Sequence, residues 1–130
     1  MIYTSYFAKL KKIPWYYKPI SICAKSPTGY TGLQYKKLAP TYSILMDYKR
    51  DQNEELYTKR FEQEILDKLD PNEVVKDLLV LSGNSKGIDY TPEIVLVCYE
   101  KSTDFCHRHL VADWLNTYGY KVEELSLTAN

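Results

Sequence analysis

Tyr57, Phe61, Ile65 and Leu69 stand four residues apart, with Leu66 beside them. That spacing predicts an amphipathic helix over Glu54–Leu69. Glu55–Lys59 and Glu64–Lys68 fall at i,i+4 on its polar side and add modest support. Asp70-Pro71-Asn72-Glu73 predicts a restart. Aspartate suits the N-cap, proline the first helical position, and Glu73 completes a capping box. The new helix carries Val74, Val75, Leu78 and Leu79 and runs to Gly83, a residue suited to the turn that ends a helix. Upstream, Thr41–Tyr48 opens on an N-cap residue and places Ile44, Leu45 and Tyr48 at helical spacing, until Asp51-Gln52-Asn53 breaks the pattern.

Strand patterns flank these helices. Residues 2–7 are β-branched and aromatic and predict a first strand. Ala8–Lys12 predicts a short basic turn stopped by Pro14. Pro19–Ala24 predicts a second strand, followed by a Pro- and Gly-rich loop over Ser26–Gly32. Leu33–Leu38 predicts a helical turn ending near Pro40, and Asn84–Pro92 a polar loop. Ile94–Tyr99 is apolar on both faces, as in a parallel strand covered on each side. A helix is then expected from about Phe105, with Asp104 or Thr103 as N-cap and Gly119 as its end. Tyr120–Leu127 alternates weakly and predicts an edge-like last strand.

Strands separated by helical crossovers predict one α/β domain over residues 1–130. The expected architecture is three-layered and Rossmann-like, with a small, mainly parallel sheet of about four strands flanked by helices. The first three strands then end on one edge, near Ser5–Tyr6, Cys23–Lys25 and Cys98–Glu100. Open α/β folds place their ligands at such an edge.

Composition narrows the class. A chain of 130 residues can bury one core. No apolar run approaches the ~20 residues of a membrane span, and the first residues do not resemble a signal peptide. Three cysteines, an odd number, argue against a disulfide framework and for a cytoplasmic protein with reduced thiols. The zero net charge conceals an asymmetry. Residues 1–50 carry nine Lys/Arg against the single acid Asp47, and residues 51–130 carry eight Lys/Arg against sixteen acids. The basic part also holds eight of the thirteen tyrosines, a mixture suited to phosphate groups and stackable bases. The alternative is a solvated basic face above core aromatics.

The stretch from Glu93 to Leu115 holds two cysteines and both histidines. Cys106, His107 and Arg108 fall in the expected first turn of the last helix, where cations are disfavoured unless an anion is held there. Arg108 is therefore a candidate anion ligand, with Ser5, Thr4 and Lys25 on the opposite wall. Cys106 is a candidate nucleophile or redox thiol, because a helix N-terminus and adjacent cations favour the thiolate. His107 and Glu100 are candidate acid–base groups, Glu100 alternatively orienting His107 or Arg108. Cys98 and Asp104 are expected to support these residues structurally, and His109 to lie on the surface. The competing reading is a clasp, in which Glu100 and Asp104 bind Arg108 and His107 fills the core. A redox or metal-linked use of Cys98 and Cys106 is a third reading. Cys23, Cys98, Cys106 and His107 match no usual ligand spacing, so no metal and no cofactor are expected. Cys-x5-Arg phosphatase chemistry is set aside, since along the chain Cys98 lies too far from Arg108 and Cys106 too near.

Val97-Cys98-Tyr99-Glu100-Lys101 followed by Cys106-His107-Arg108 resembles the signature of domain-of-unknown-function family 488, which pairs a Cys-x-Glu strand end with a Cys-His-Arg helix start. Ile2–Tyr6 and the segment through Leu33–Pro40 also resemble its members. The resemblance implies a compact Rossmann-like domain and shared positions at Thr4, Ser5, Cys98, Glu100, Cys106, His107 and Arg108. It implies no reaction, and Cys23 is outside the pattern. Together these features point to a phosphate-bearing small molecule or nucleic-acid segment as the expected partner, and to no membrane.

Overall fold

The computed structural model describes residues 1–83 and 93–126. Its centre is the apolar run foreseen in the sequence, which forms strand β4 (Glu93–Cys98). β4 lies between β1 (Ile2–Tyr6) and β2 (Tyr17–Ser21). β3 (Leu33–Gln34) extends the sheet beyond β2, and β5 (Val122–Glu124) extends it beyond β1. Every pairing is parallel, giving a five-stranded sheet of order β3-β2-β4-β1-β5. The α/β class and parallel sheet are as expected, with one strand more. The extra strand is β3, where a helical turn was predicted. Only two residues pair there before a 3-10 turn takes over Lys36–Leu38, and two residues carry no readable alternation.

Burial explains the unbroken hydrophobicity of β4. Ile94 and Leu96 join the main core with Ile2, Ile20 and Val122, while Val95 and Val97, pointing the other way, are also fully buried. Four α-helices are present among the described residues: α1 (Tyr42–Asp51), α2 (Glu54–Glu64), α3 (Pro71–Leu81) and α4 (His107–Thr117). Ile44, Phe61, Leu78 and Leu115 are their deepest contributions to that core. The predicted caps form at α1 and α3, where Thr41 Oγ1 accepts from Ile44 N–H and an Asp70 carboxylate oxygen accepts from Asn72 N–H. Gly83 and Gly119 adopt φ of +100° and +93°, which only glycine takes without cost. The long helix expected to Leu69 ends at Glu64, and Leu66–Lys68 continues as a 3-10 turn. The predicted loop Asn84–Pro92 lies outside the described residues. No helix among them is long and apolar enough to cross a membrane.

Register fixes the functional edge. Tyr6 of β1 pairs with Cys98 of β4, and Ser21 of β2 pairs with Val97. The three strand ends therefore emerge side by side, as the parallel assignment required. Phe61 sits fully buried beneath this edge. Phe61→Ala should lower the unfolding free energy by about 3–5 kcal/mol in urea denaturation, through lost burial and the cavity left behind.

Candidate functional site

The chain leaves β4 through Tyr99–Phe105 and enters α4 two residues later than the sequence suggested. Cys106, not Asp104 or Thr103, is the N-cap, and its side chain makes no capping hydrogen bond. His107 and Arg108 are thus the first two helical residues. Both are buried, and they face different surroundings.

Arg108 turns inward and is fully buried. Its Nε and Nη2 donate to the two carboxylate oxygens of Glu124 at 3.1 and 2.8 Å. Its Nη1 donates to the Glu100 backbone carbonyl at 2.6 Å and to Cys98 Sγ at 3.0 Å. The Tyr6 ring lies 5.6 Å from the guanidinium carbon. Glu124 also accepts from Thr4 Oγ1 and Ser102 Oγ, each at 2.6 Å. Burial pushes the Glu124 carboxyl up, but the hydrogen bonds from Arg108, Ser102 and Thr4 outweigh it and hold the group below the usual range.

These contacts correct several assignments. Arg108 and Thr4 bind Glu124 and are not among the residues lining the cleft described below. Ser5 is buried within β1 and does not line it either. Asp104 is exposed and gives Arg108 no carboxylate. The clasp exists, but its acid is Glu124 of β5. Cys98, expected in a supporting structural role, is the direct neighbour of Arg108, accepting from its Nη1 at 3.0 Å.

Cys106 and His107 instead face a cleft of about 350 Å³. Cys23, Ala24 and Lys25 form one side, Tyr99 and Glu100 another. Leu45, Tyr48 and Lys49 of α1, with Tyr57 of α2 and Phe105, close it. The aromatic wall is a mutual cluster. Tyr48 stacks on Phe105 with ring centres 5.4 Å apart, and Tyr57 meets both edge-on at 5.4 and 5.1 Å. Tyr99 Oη donates to the Lys25 carbonyl at 2.7 Å, tying the β2 and β4 ends together. Lys25 and Lys49 are exposed, with no carboxylate partner among the described residues.

His107 is fixed through one ring nitrogen. Its Nε2 lies 2.8 Å from the Ile22 carbonyl oxygen, which can only accept, so Nε2 carries the proton. Nδ1 then presents its lone pair, 3.9 Å from Cys106 Sγ. The ring packs edge-on against Phe61 at 5.6 Å. Burial pushes the imidazole down to about 4, against that hydrogen bond, so it is neutral at pH 7. Cys98 and Cys106 meet sulfur to sulfur across the loop, with Cα atoms 7.6 Å apart. The expectation of three unlinked thiols is thereby corrected. Cys23 packs against the pair as a free thiol, and burial pushes it up to about 11. His109, expected at the surface, is half-buried.

Sequence reading did not single out Tyr57, Phe105 or Glu124, and took in Tyr48 and Lys49 only within the basic, tyrosine-rich first fifty residues. Tyr57 carried a signal, helical spacing, which marked it only as core. Glu124 carried none, because its role depends on β5 pairing with β1.

The Arg108–Glu124 pair makes a testable demand on pH. An unfolded glutamate takes up its proton near 4.5, whereas the folded Glu124 resists until lower pH. Below about 4.5 the unfolded chain binds more protons, so stability falls with pH through this window. Glu124→Gln should remove that part of the acid slope. At pH 7 the same change should cost about 3–5 kcal/mol, since it leaves a buried guanidinium without its counter-charge. Urea titrations of both proteins at pH 7 and pH 3.5 measure both effects.

Residues 15–119 match the family described as DUF488-N3a, the active DUF488-N3 subclade. Searches of curated proteins and of solved structures returned no match. The match covers most of the chain, includes the ends of β2 and β4 and the start of α4, and contains the Cys98-x-Glu100 and Cys106-His107-Arg108 residues: the chain belongs to the DUF488-N3a family.

Proposed function

We propose that the cleft binds a phosphate-bearing nucleotide or short nucleic-acid segment, and that the chain is an enzyme acting on it. The observation that carries this reading is the cleft itself: an aromatic wall of Tyr48, Phe105 and Tyr57 beside two exposed lysines, Lys25 and Lys49, that pair with no carboxylate among the described residues. A base stacks on aromatic faces whatever its identity, and lysines complement a phosphate. The uncapped N-terminus of α4 opens at the same place and adds backbone N–H groups suited to an anion. The anion role first given to Arg108 thus passes to Lys25 and Lys49.

Cys106, His107 and Glu100 border this cleft and are the residues placed to act on its occupant. The description of the family as an active subclade supports a reaction rather than binding alone. The competing view, a non-catalytic interaction protein with a purely structural motif, draws on the fully engaged Arg108. It leaves unexplained why Cys106, His107 and Glu100 border an aromatic cleft.

Calorimetric titration with a panel of nucleotides and short oligonucleotides at low salt tests the proposal. Tyr48→Ala should weaken binding by about 1–3 kcal/mol, the usual worth of one base–aromatic stack. Lys25→Ala with Lys49→Ala should weaken it further and flatten its salt dependence. Wild-type protein that binds no member of the panel, or binding indifferent to all three changes, defeats the proposal.

A further inference from the structure

Two cysteines and a histidine that the sequence keeps eight and nine residues apart converge below the cleft. Cys98 Sγ, Cys106 Sγ and His107 Nδ1 lie within 4.8 Å of one another, and all three residues are buried. We propose that in the reduced protein these side chains hold one zinc ion, as a Cys2His centre whose fourth position opens into the aromatic cleft.

The donor chemistry fits. Zinc binds thiolate at about 2.3 Å and imidazole at about 2.0 Å, so one centre needs its donors within a few ångström of each other. Three protein ligands with one open position are the pattern of catalytic zinc, whereas structural zinc is closed by four. A metal-bound histidine normally donates its other N–H to a carbonyl or carboxylate, which fixes the ring and the tautomer. His107 does this: Nε2–H is held by the Ile22 carbonyl at 2.8 Å, leaving Nδ1 for the ion. Arg108 Nη1 supplies the matching support to the sulfur, 3.0 Å from Cys98 Sγ. The Cα atoms of the two cysteines stand 7.6 Å apart. That exceeds the ~4.4–6.8 Å of an ordinary disulfide, so once reduced the two thiolates need not stay in contact and can part to take an ion between them.

The placement assigns the open position. Cys106 and His107 line the cleft, whereas Cys98 lies beneath and is fully buried. A zinc ion held there would supply a polarised water on the cleft side, and Glu100 borders the same cleft. The absence of a usual ligand spacing is explained by the fold: β4 delivers one ligand and the α4 N-terminus the other two. Only the identity of the occupant rests on the function proposed above; the metal site does not.

Metal uptake by the purified chain, reduced and kept anaerobic, is the test. Elemental analysis after zinc loading, and titration with cobalt followed by absorbance, should show one ion per chain with thiolate-to-cobalt charge-transfer bands. Cys98→Ser and Cys106→Ser should abolish those bands. His107→Gln should weaken uptake by more than the ~10–100-fold typical of losing a supporting contact. Cys23→Ser should keep full uptake, and circular dichroism identifies any variant that fails to fold. Reduced, folded wild-type protein that takes up neither zinc nor cobalt overturns the proposal. So does uptake that survives Cys106→Ser, or that disappears in a folded Cys23→Ser. Stoichiometric metal without nucleotide binding would uphold the centre and remove the proposed ligand; nucleotide binding by a chain that takes up no metal would do the reverse.

Discussion

The structure around the sheet edge depends on the burial of one positive charge. Arg108 has no exposed surface, and an isolated guanidinium would not tolerate that position. Glu124 makes it tolerable with a two-pronged contact, and is itself held by Thr4 and Ser102. Three regions distant in sequence meet at this carboxylate: β1, the stretch from the loop after β4 to the start of α4, and β5. Each must be in place before the charge is neutralised. The pair adds little net stability over an apolar filling of the same shape, but removing either partner is costly. Its physical role is to fix where α4 begins relative to the ends of β1 and β4.

That constraint divides the family motif between two jobs. Arg108 points towards β5, and the Glu100 backbone carbonyl is anchored to it. The Glu100 side chain, Cys106 and His107 are left bordering the cleft. Consecutive residues at a helix start diverge by roughly 100°, so adjacent His107 and Arg108 can serve opposite sides. The rule that cations are disfavoured at a helix N-terminus is not broken here. His107 is neutral, and Arg108 faces a carboxylate. The local anomaly that marked this stretch in the sequence has an internal solution, and the site stands on the cleft instead.

What the sequence made legible followed from local physics. The caps of α1 and α3, the two-sided burial of β4 and the glycine ends need only near neighbours to be read. The parallel order also followed, because helical crossovers leave few other arrangements. The failures share the opposite property. β3 is held by pairing with β2 rather than by its own pattern. Glu124 looks like an ordinary acid on a weak edge strand until Val122–Glu124 is set against Ile2–Thr4. The proximity of Cys98 to Arg108 is set by how the intervening loop folds back, which spacing along the chain does not encode.

Charge segregation bears on the size of the occupant proposed for the cleft. The basic first fifty residues were read as suited to phosphate groups and stackable bases, but only Lys25 and Lys49 of their lysines and arginines border the cleft. Arg108, the most suggestive cation in the sequence, is cancelled by Glu124. Glu100 brings a negative charge to the same wall. Two lysines against one carboxylate suit a ligand of low charge with a large planar body. A long polyanion gains affinity by neutralising many phosphates at once, and this cleft offers too few cations for that. On the proposed reading, a single nucleotide or one exposed terminal residue of a strand is therefore the better match than a duplex. The aromatic cluster then contributes more to recognition than charge does, which places Tyr48 and Phe105 ahead of the basic segment in determining what binds.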